Sequence, residues 1–446
     1  MDFISNSETQ VKEMLAALQV ESIEELFQDV PRQIWLDRPM ENDGLSEYEG
    51  IKRLEEIAAE NRFPFLDNYL GAGAYEHHVP ALISSVVSKS EFLTSYTPYQ
   101  AEASQGMLQA IFEFQSAICA LTGMDVSNAS VYDGASACAE AALMSLRHKK
   151  GSSKILVAET LHPHYLAVIK LYTEGADAEI VAVPFEKNGQ LDISALEEQL
   201  DDRTACVIVQ SPNFVGAMED IPSFSAKIQD SGALLVLAAN PMSYGIYKNA
   251  AELGADIAIG ETQPFGLPLQ FGGPYAGYIA CRQELVRQLP GRIVGETVDT
   301  EGNRGFVLTL QAREQHIRRD KATSNICTNQ ALAALACLVG ILWYGKQGVK
   351  ETALTNFQRA SYLKSQLEQI AGVTTIDSPI FNEFAVHFGK PYETVWNRFE
   401  KEGVACGVDL GRYYPALKDY CLVAVTETKS KSQLDRYIDI AKEVAR

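Results

Sequence analysis

Apolar and polar positions along this chain follow two different rhythms. From about residue 130 to 281, short and nearly continuous apolar runs alternate with stretches of helical period. The runs predict strands at 155–158, 180–183, 206–210, 234–238 and 257–260, with a further strand at 275–281. Helices are predicted between them, for example at 163–172 and 194–200. Strands that are apolar on both faces and separated by helices indicate a mostly parallel sheet covered on both sides. Ahead of this region the pattern is helical. Ser22 with Glu25, and Ser46 with Glu49, have capping-box spacing; the second pair opens a predicted helix over 48–61. A less regular stretch containing Pro64, Gly71, Gly73 and Pro80 leads to a helix predicted over 98–122, with apolar positions at Met107, Leu108, Ile111, Phe112, Phe114 and Ile118. A long apolar helix over 328–344 runs to Gly345 and Gly348, which mark a junction. The remainder reads helix, strand 373–376, strand 384–388, helix, strand 420–425, helix. The predicted organisation is a helical N-terminal arm (1–93), a large α/β domain (94–345) and a small α+β domain (346–446), without internal repeats or low-complexity stretches.

Composition narrows the function. The 446 residues carry 38 Lys and Arg against 58 Asp and Glu, a formal charge of −20. That balance argues against a nucleic-acid binder or an anionic-membrane binder, both of which need basic surface. The eight cysteines form no C-x-x-C pair and no zinc-like spacing with histidine, so they read as small core residues of a reducing compartment. Met1 to Gln10 carry acids and no apolar centre, so no secretory leader is expected. No run approaches ~18 consecutive apolar residues, so no membrane span is expected. The location expected is cytoplasmic.

Candidate chemistry starts at Asp133-Gly134-Ala135-Ser136, a small-residue turn opening an Ala-rich helix. Free backbone N–H groups and the helix dipole make such a turn an anion site; equally, it reads as a capped helix start with small residues for close packing. A large parallel α/β domain with a small C-terminal α+β domain is also the layout of fold-type-I pyridoxal-phosphate enzymes. Such an enzyme needs a lysine for the internal aldimine on a loop after a late strand, and an acid at an earlier strand end to keep the pyridine nitrogen protonated. After 234–237 stands Ala238-Ala239-Asn240-Pro241. After Gly260 stands Glu261-Thr262-Gln263-Pro264-Phe265-Gly266. No lysine lies between Lys248 and Lys321. The frame of the site is present and its two chemical anchors are missing.

Three segments resolve the contradiction. They are Thr94-Ser95-Tyr96-Thr97-Pro98-Tyr99-Gln100-Ala101-Glu102-Ala103-Ser104-Gln105-Gly106, then Gln263-Pro264-Phe265-Gly266-Leu267-Pro268 running into Phe271-Gly272-Gly273-Pro274, and Arg313-Glu314-Gln315-His316-Ile317-Arg318-Arg319-Asp320-Lys321-Ala322-Thr323-Ser324-Asn325-Ile326-Cys327-Thr328. Together they resemble the glycine dehydrogenase (decarboxylating) family, the P protein of the glycine cleavage system. The resemblance covers essentially the whole chain and is to subunit 1, the α subunit of the two-chain form. It implies that the Schiff-base lysine and its covalently bound pyridoxal phosphate belong to a partner, subunit 2 or β. It also implies an α2β2 assembly and an active site near the shared interface. The implied reaction is decarboxylation of glycine, with transfer of the aminomethyl group to the lipoyl arm of the H protein.

Within that frame Ser95, Tyr96, Tyr99 and Gln100 are candidate lining of the shared cavity, or else a structural lead into a helix with Thr97 as cap. Arg318 belongs to a stretch of four cations against two acids and suits either a carboxylate or phosphate ligand or an inter-subunit ion pair. Thr323, Ser324 and Asn325 read as helix caps or as a contribution to the partner's phosphate site. Gly134, Ala135 and Ser136 read as a vestigial phosphate turn, and His162 as the inherited aromatic over the pyridine position. A chain that only stabilises the β subunit and docks the H protein is the alternative. A stand-alone pyridoxal enzyme is disfavoured by the missing lysine.

Overall fold

A computed structural model describes residues 6–36, 44–62, 66–270 and 272–446. Pro64 and Phe271, named above, and the first five residues of the chain lie outside the described residues. Residues 1–63 and 64–446 form separate contact units.

In the first unit a helix at Glu8–Leu18 is closed by a full capping box from Ser7 and Gln10. Ser46 and Glu49 make the capping box that their spacing predicts, at the head of a helix over Glu47–Ala58. The other predicted box does not form. Ser22 makes no side-chain cap to the 3-10 turn Ile23–Phe27, and the Glu25 carboxylate accepts from the Glu21 N–H instead. A 3-10 turn displaces the third N–H from the place a capping hydroxyl reaches.

The second unit is built on a seven-stranded sheet: β1 Val126–Ser127, β2 Lys154–Ala158, β3 Glu179–Val183, β4 Thr204–Gln210, β5 Leu234–Ala239, β6 Ile257–Glu261 and β7 Gly277–Cys281. The spatial order is β1-β7-β6-β5-β4-β2-β3. Strands β3, β2, β4, β5 and β6 run parallel, and β7 is antiparallel to both neighbours. The continuous apolar runs are explained by burial on both sides. In β4, Val207 and Val209 enter one core layer with Phe114, Leu235 and Ala258. Cys206 and Ile208 enter the opposite layer with Cys138, Met144 and Ile257. Fold class matches the expectation: an α/β, mostly parallel sheet domain of the pyridoxal-phosphate fold-type-I kind.

Three helices position the site. Helix α1, Gln105–Thr122, ends at Gly123, whose φ of 73° is the left-handed conformation of a helix terminator. It starts seven residues later than predicted. Pro98 keeps Thr97 extended, Ala101–Ala103 is an isolated 3-10 turn, and Thr97 caps nothing. Helix α2, Gly134–His148, is capped by Asp133 and carries Arg147 and His148 against the negative end of its dipole. Helix α3, Pro163–Thr173, has Pro163 in its first turn and His162 as cap.

An antiparallel hairpin follows, β8 Ile293–Val298 with β9 Arg304–Thr309. Next comes α4, Ala331–Leu367, broken at Gly345 (φ 57°, ψ −178°), a conformation that only glycine adopts without strain. By length and mean hydropathy α4 is long and apolar enough to cross a membrane, but half of its most apolar window is buried inside the protein, as in a core helix. Beyond it lies a four-stranded antiparallel sheet, β10 Thr374–Thr375, β11 Glu383–His387, β12 Val408–Asp409 and β13 Tyr420–Ala424, in the order β10-β11-β13-β12. The short β12 is invisible in the apolar pattern. Six of the eight cysteines are buried; Cys327 is exposed, against expectation.

Candidate functional site

At the carboxyl ends of the parallel strands, where ligands bind in open α/β sheets, four elements converge. They are the heads of α2 and α3 and the ends of β5 and β6. The Asp133 carboxylate accepts from the Ser136 N–H at 2.7 Å, occupying the helix N-terminus that an incoming phosphate would use. Beside it stands Glu261, the last residue of β6. Both of its oxygens are buried without a hydrogen bond. Burial, and then the Asp133 charge, push its ionisation well above the usual carboxylate range; the nearby Gly134 N–H opposes this without reaching bonding geometry. Two acids stand where a phosphate dianion would have to sit.

His162 does stand at the ring position. Its N–H donates to Gln210 Oε1 at 2.8 Å. Its Nδ1 accepts from the His164 N–H at 3.1 Å, which leaves Nε2 to donate to the Ala72 carbonyl at 2.9 Å. Burial pulls its pKa down to about 4, so the ring is a neutral imidazole. The ring stacks on Tyr165 with centroids 4.8 Å apart and planes 16° from parallel. The chain's own phenol therefore takes the place of a stacked cofactor. Gly134 is required beneath it: a Cβ there would lie 2.1 Å from the Tyr165 oxygen. Asn240 spends its carbonyl oxygen on the Met242 N–H at 3.1 Å and leaves its amide nitrogen buried and unbonded. It cannot protonate a pyridine. The space remaining among these groups is about 20 Å³, room for one water and not for a pyridine ring. Pyridoxal phosphate does not fit this niche.

The other candidates gather elsewhere. Tyr96 and Tyr99 are 78% and 54% exposed; Gln100 is exposed and Ser95 half-buried. Tyr99 meets His316 edge to face, centroids 5.8 Å apart, and its hydroxyl accepts from Arg292 at 3.3 Å. Ser324 donates to the buried carboxylate of Glu140 on α2 at 2.6 Å and accepts from the Ile326 N–H at 3.1 Å. Thr323 is tied through its main chain to the Arg313 carbonyl at 3.0 Å. Asn325 is exposed. None of the three caps α4, which begins at Ala331 with Gln330 as its cap residue; the capping reading is corrected. Arg318 is exposed. Arg313 instead turns inward, donating to the carbonyls of Gly291 (3.0 Å) and Leu310 (3.1 Å), and its partial burial lowers its pKa.

The structure thus joins Tyr99 to the 323–329 stretch and keeps His162 in the narrow niche, with Gly134, Ala135 and Ser136 beside it in the first turn of α2. Sequence reasoning missed Arg292, Tyr165, Glu261 and Glu140. Nothing local distinguishes them, because each acquires its role from a residue at least 35 positions away or, for Tyr165, from the ring of a neighbour.

Comparison with known proteins gives a consistent picture. A family model described as glycine cleavage system P-protein matches residues 1–441. A protein of Protochlamydia amoebophila, described as "Probable glycine dehydrogenase (decarboxylating) subunit 1", is 61% identical over 445 residues, covering 100% of both chains. A protein of the same description from a Geobacillus species is 47% identical, covering 98% of this chain and 97% of its own. Among solved structures, an inhibitor-bound glycine decarboxylase (P-protein) of the glycine cleavage system superposes with a TM-score of 0.89 at 40% identity over all of both chains. A sphingosine-1-phosphate lyase of Burkholderia pseudomallei, at 14% identity and a TM-score of 0.68, shares the fold.

Proposed function

The chain belongs to the glycine cleavage system P-protein family, and from that premise we propose that it is the subunit of glycine dehydrogenase (decarboxylating) that carries no cofactor of its own. Its partner in this reading is subunit 2, which holds pyridoxal phosphate on a lysine, in a cytoplasmic α2β2 assembly. The complex decarboxylates glycine and passes the aminomethyl group to the lipoyl arm of the H protein. The cofactor supplies the electron sink for that chemistry. The observation that carries the proposal is the filled niche: Tyr165 on His162, with Glu261 and Asp133 beside α2, in a chain with no lysine from 249 to 320.

What this chain contributes is binding and shaping. Tyr96, Tyr99, Ser95 and Gln100 offer hydroxyls and an amide to a cavity formed with the partner. Thr323, Ser324 and Asn325 lie on the stretch that Arg292 joins to Tyr99. Arg318 offers a guanidinium to glycine's carboxylate, or to an acid of the partner. Enclosure of the cavity by this chain excludes water and strengthens each of these contacts. A scaffolding role is favoured by one observation, the exposure of Arg318 and Tyr96, which suits an interface equally well.

The test measures glycine–bicarbonate exchange in the presence of H protein, with this chain alone, the partner alone, and both. Exchange that requires both, with cofactor absorbance only where the partner is present, is expected. Full exchange by the partner alone rejects the proposal. Tyr99→Phe at saturating concentration of this chain separates the two roles. Loss of a hydrogen bond to a charged group, about 1.5–3 kcal/mol, slows exchange by about 10- to 150-fold, whereas scaffolding leaves the rate unchanged.

A further inference from the structure

Arg292 is the most deeply placed cation near the candidate surface; its side chain is 3% exposed. A buried guanidinium is costly unless its donors are used, so what it reaches is informative. Nη2 donates to the Cys327 carbonyl at 2.6 Å and to the Tyr99 hydroxyl at 3.3 Å. Nη1 donates to Asn329 Oδ1 at 3.3 Å. The guanidinium carbon lies 5.4 Å from the Tyr99 ring centroid, and Nε lies 3.9 Å from the half of Glu314 that also faces His316. The anchor is rigid. The Arg292 carbonyl accepts from the Ala129 N–H at 2.9 Å, and the Asn329 amide donates to Ala129 O and Ser130 Oγ, each at 3.1 Å. A residue fixed to the body of the domain therefore grips two segments, 193 and 35 positions away. Both lie in the segments on which the resemblance to the family rests.

We propose that Arg292 is a positioning residue: it fixes the Tyr99 hydroxyl and the 323–329 stretch relative to each other, so that this chain presents them as one preformed surface to the catalytic cavity. The inference rests on the reading that these segments line that cavity. Lysine does not substitute, because a single ammonium cannot span a carbonyl, an amide oxygen and a phenol set in different directions.

The experiment uses the assembled complex with Arg292→Lys, Tyr99→Phe and the double variant, with assembly checked by sedimentation. Arg292→Lys is expected to lower the kcat of exchange by about tenfold or more. The double variant is expected to be no slower than the slower single, within about twofold, because both changes act through one hydroxyl. Amide hydrogen exchange is expected to quicken in both 95–103 and 323–330 on Arg292→Lys. A slow Tyr99→Phe beside a wild-type Arg292→Lys, losses that multiply in the double variant, or loosening of one segment alone overturns the positioning role and leaves the shared cavity standing. Wild-type rates in both singles overturn the shared-cavity reading and this inference with it. Should Arg292→Lys fail to assemble, Asn329→Ser removes one acceptor from the fork. A loss confined to the background that retains Tyr99 supports the proposal, and an equal loss in Tyr99→Phe overturns it.

Discussion

Glu383→Gln is expected to make this protein more stable in alkaline than in acidic solution relative to wild type. Glu383 opens β11 and is buried, yet both of its oxygens are used: one accepts from the Ala72 N–H at 2.6 Å, the other from the Tyr75 hydroxyl at 2.7 Å. It thereby secures the loop whose Ala72 carbonyl receives the His162 ring. Burial raises its pKa from 4.5 to about 7, against the lowering effect of those two hydrogen bonds. The folded state therefore holds a proton that the unfolded chain releases. The stabilisation is fully present below pH 4.5 and is lost as pH rises through 7. Between 4.5 and about 7, at about 1.36 kcal/mol per pH unit, the loss approaches about 3.4 kcal/mol above pH 8, as an upper figure. Glutamine keeps the shape and never ionises, so it escapes that loss. The assay is thermal or urea unfolding of wild type and variant at pH 5 and pH 8.5. At pH 5 the pH-linked difference should be below about 1 kcal/mol. At pH 8.5 the variant should gain up to about 3.4 kcal/mol, or roughly 3–4 °C at about 2.1 cal/mol/K per residue. Glu219, also raised to about 7 by burial, tilts both proteins alike and cancels in the difference. A gap that is the same at both pH values would refute the reasoning.

Three further outcomes follow from the site. Gly134→Ala should destabilise by at least the ~1–3 kcal/mol typical of overpacking, because its Cβ meets the Tyr165 oxygen at 2.1 Å and the ring carbon behind it at 2.8 Å; denaturant unfolding should show partial recovery on adding Tyr165→Phe. Borohydride reduction of the isolated chain with pyridoxal phosphate should leave no stoichiometric adduct within residues 249–320, and peptide mapping that finds one at Lys248 or Lys321 would contradict a cofactor-free subunit. Arg318→Gln, altering an exposed guanidinium, should weaken assembly in sedimentation while leaving the isolated chain's unfolding curve within about 0.5 kcal/mol of wild type; a large loss of intrinsic stability would place Arg318 in the fold.

What the sequence determined by itself is whatever depends on near neighbours. Two-sided burial of a parallel sheet is written in the run at 206–210, the capping of α2 in Asp133 and Ser136, and the box at Ser46 in the spacing to Glu49, because period and caps act within four residues. The absence of a lysine after β6 was equally legible, and with the three shared segments it identified the family. The same local logic failed where a competing partner lay elsewhere. Gln105 spends its side-chain amide on the Ala101 and Phe306 carbonyls at the true start of α1, and Ser324 bonds Glu140 rather than capping α4. Only the tertiary structure decided whether the cofactor niche is open. That depends on Tyr165 lying parallel to His162, on Glu261 being buried unpaired, and on two strand ends meeting two helix heads. It also decided that Arg292 joins Tyr99 to Cys327. Apart from the stack of Tyr165 on His162, three positions apart, these are contacts across tens to hundreds of residues, and no periodicity encodes them: the close packing of a core and the cost of leaving a buried charge unbonded select them once the chain has closed on itself.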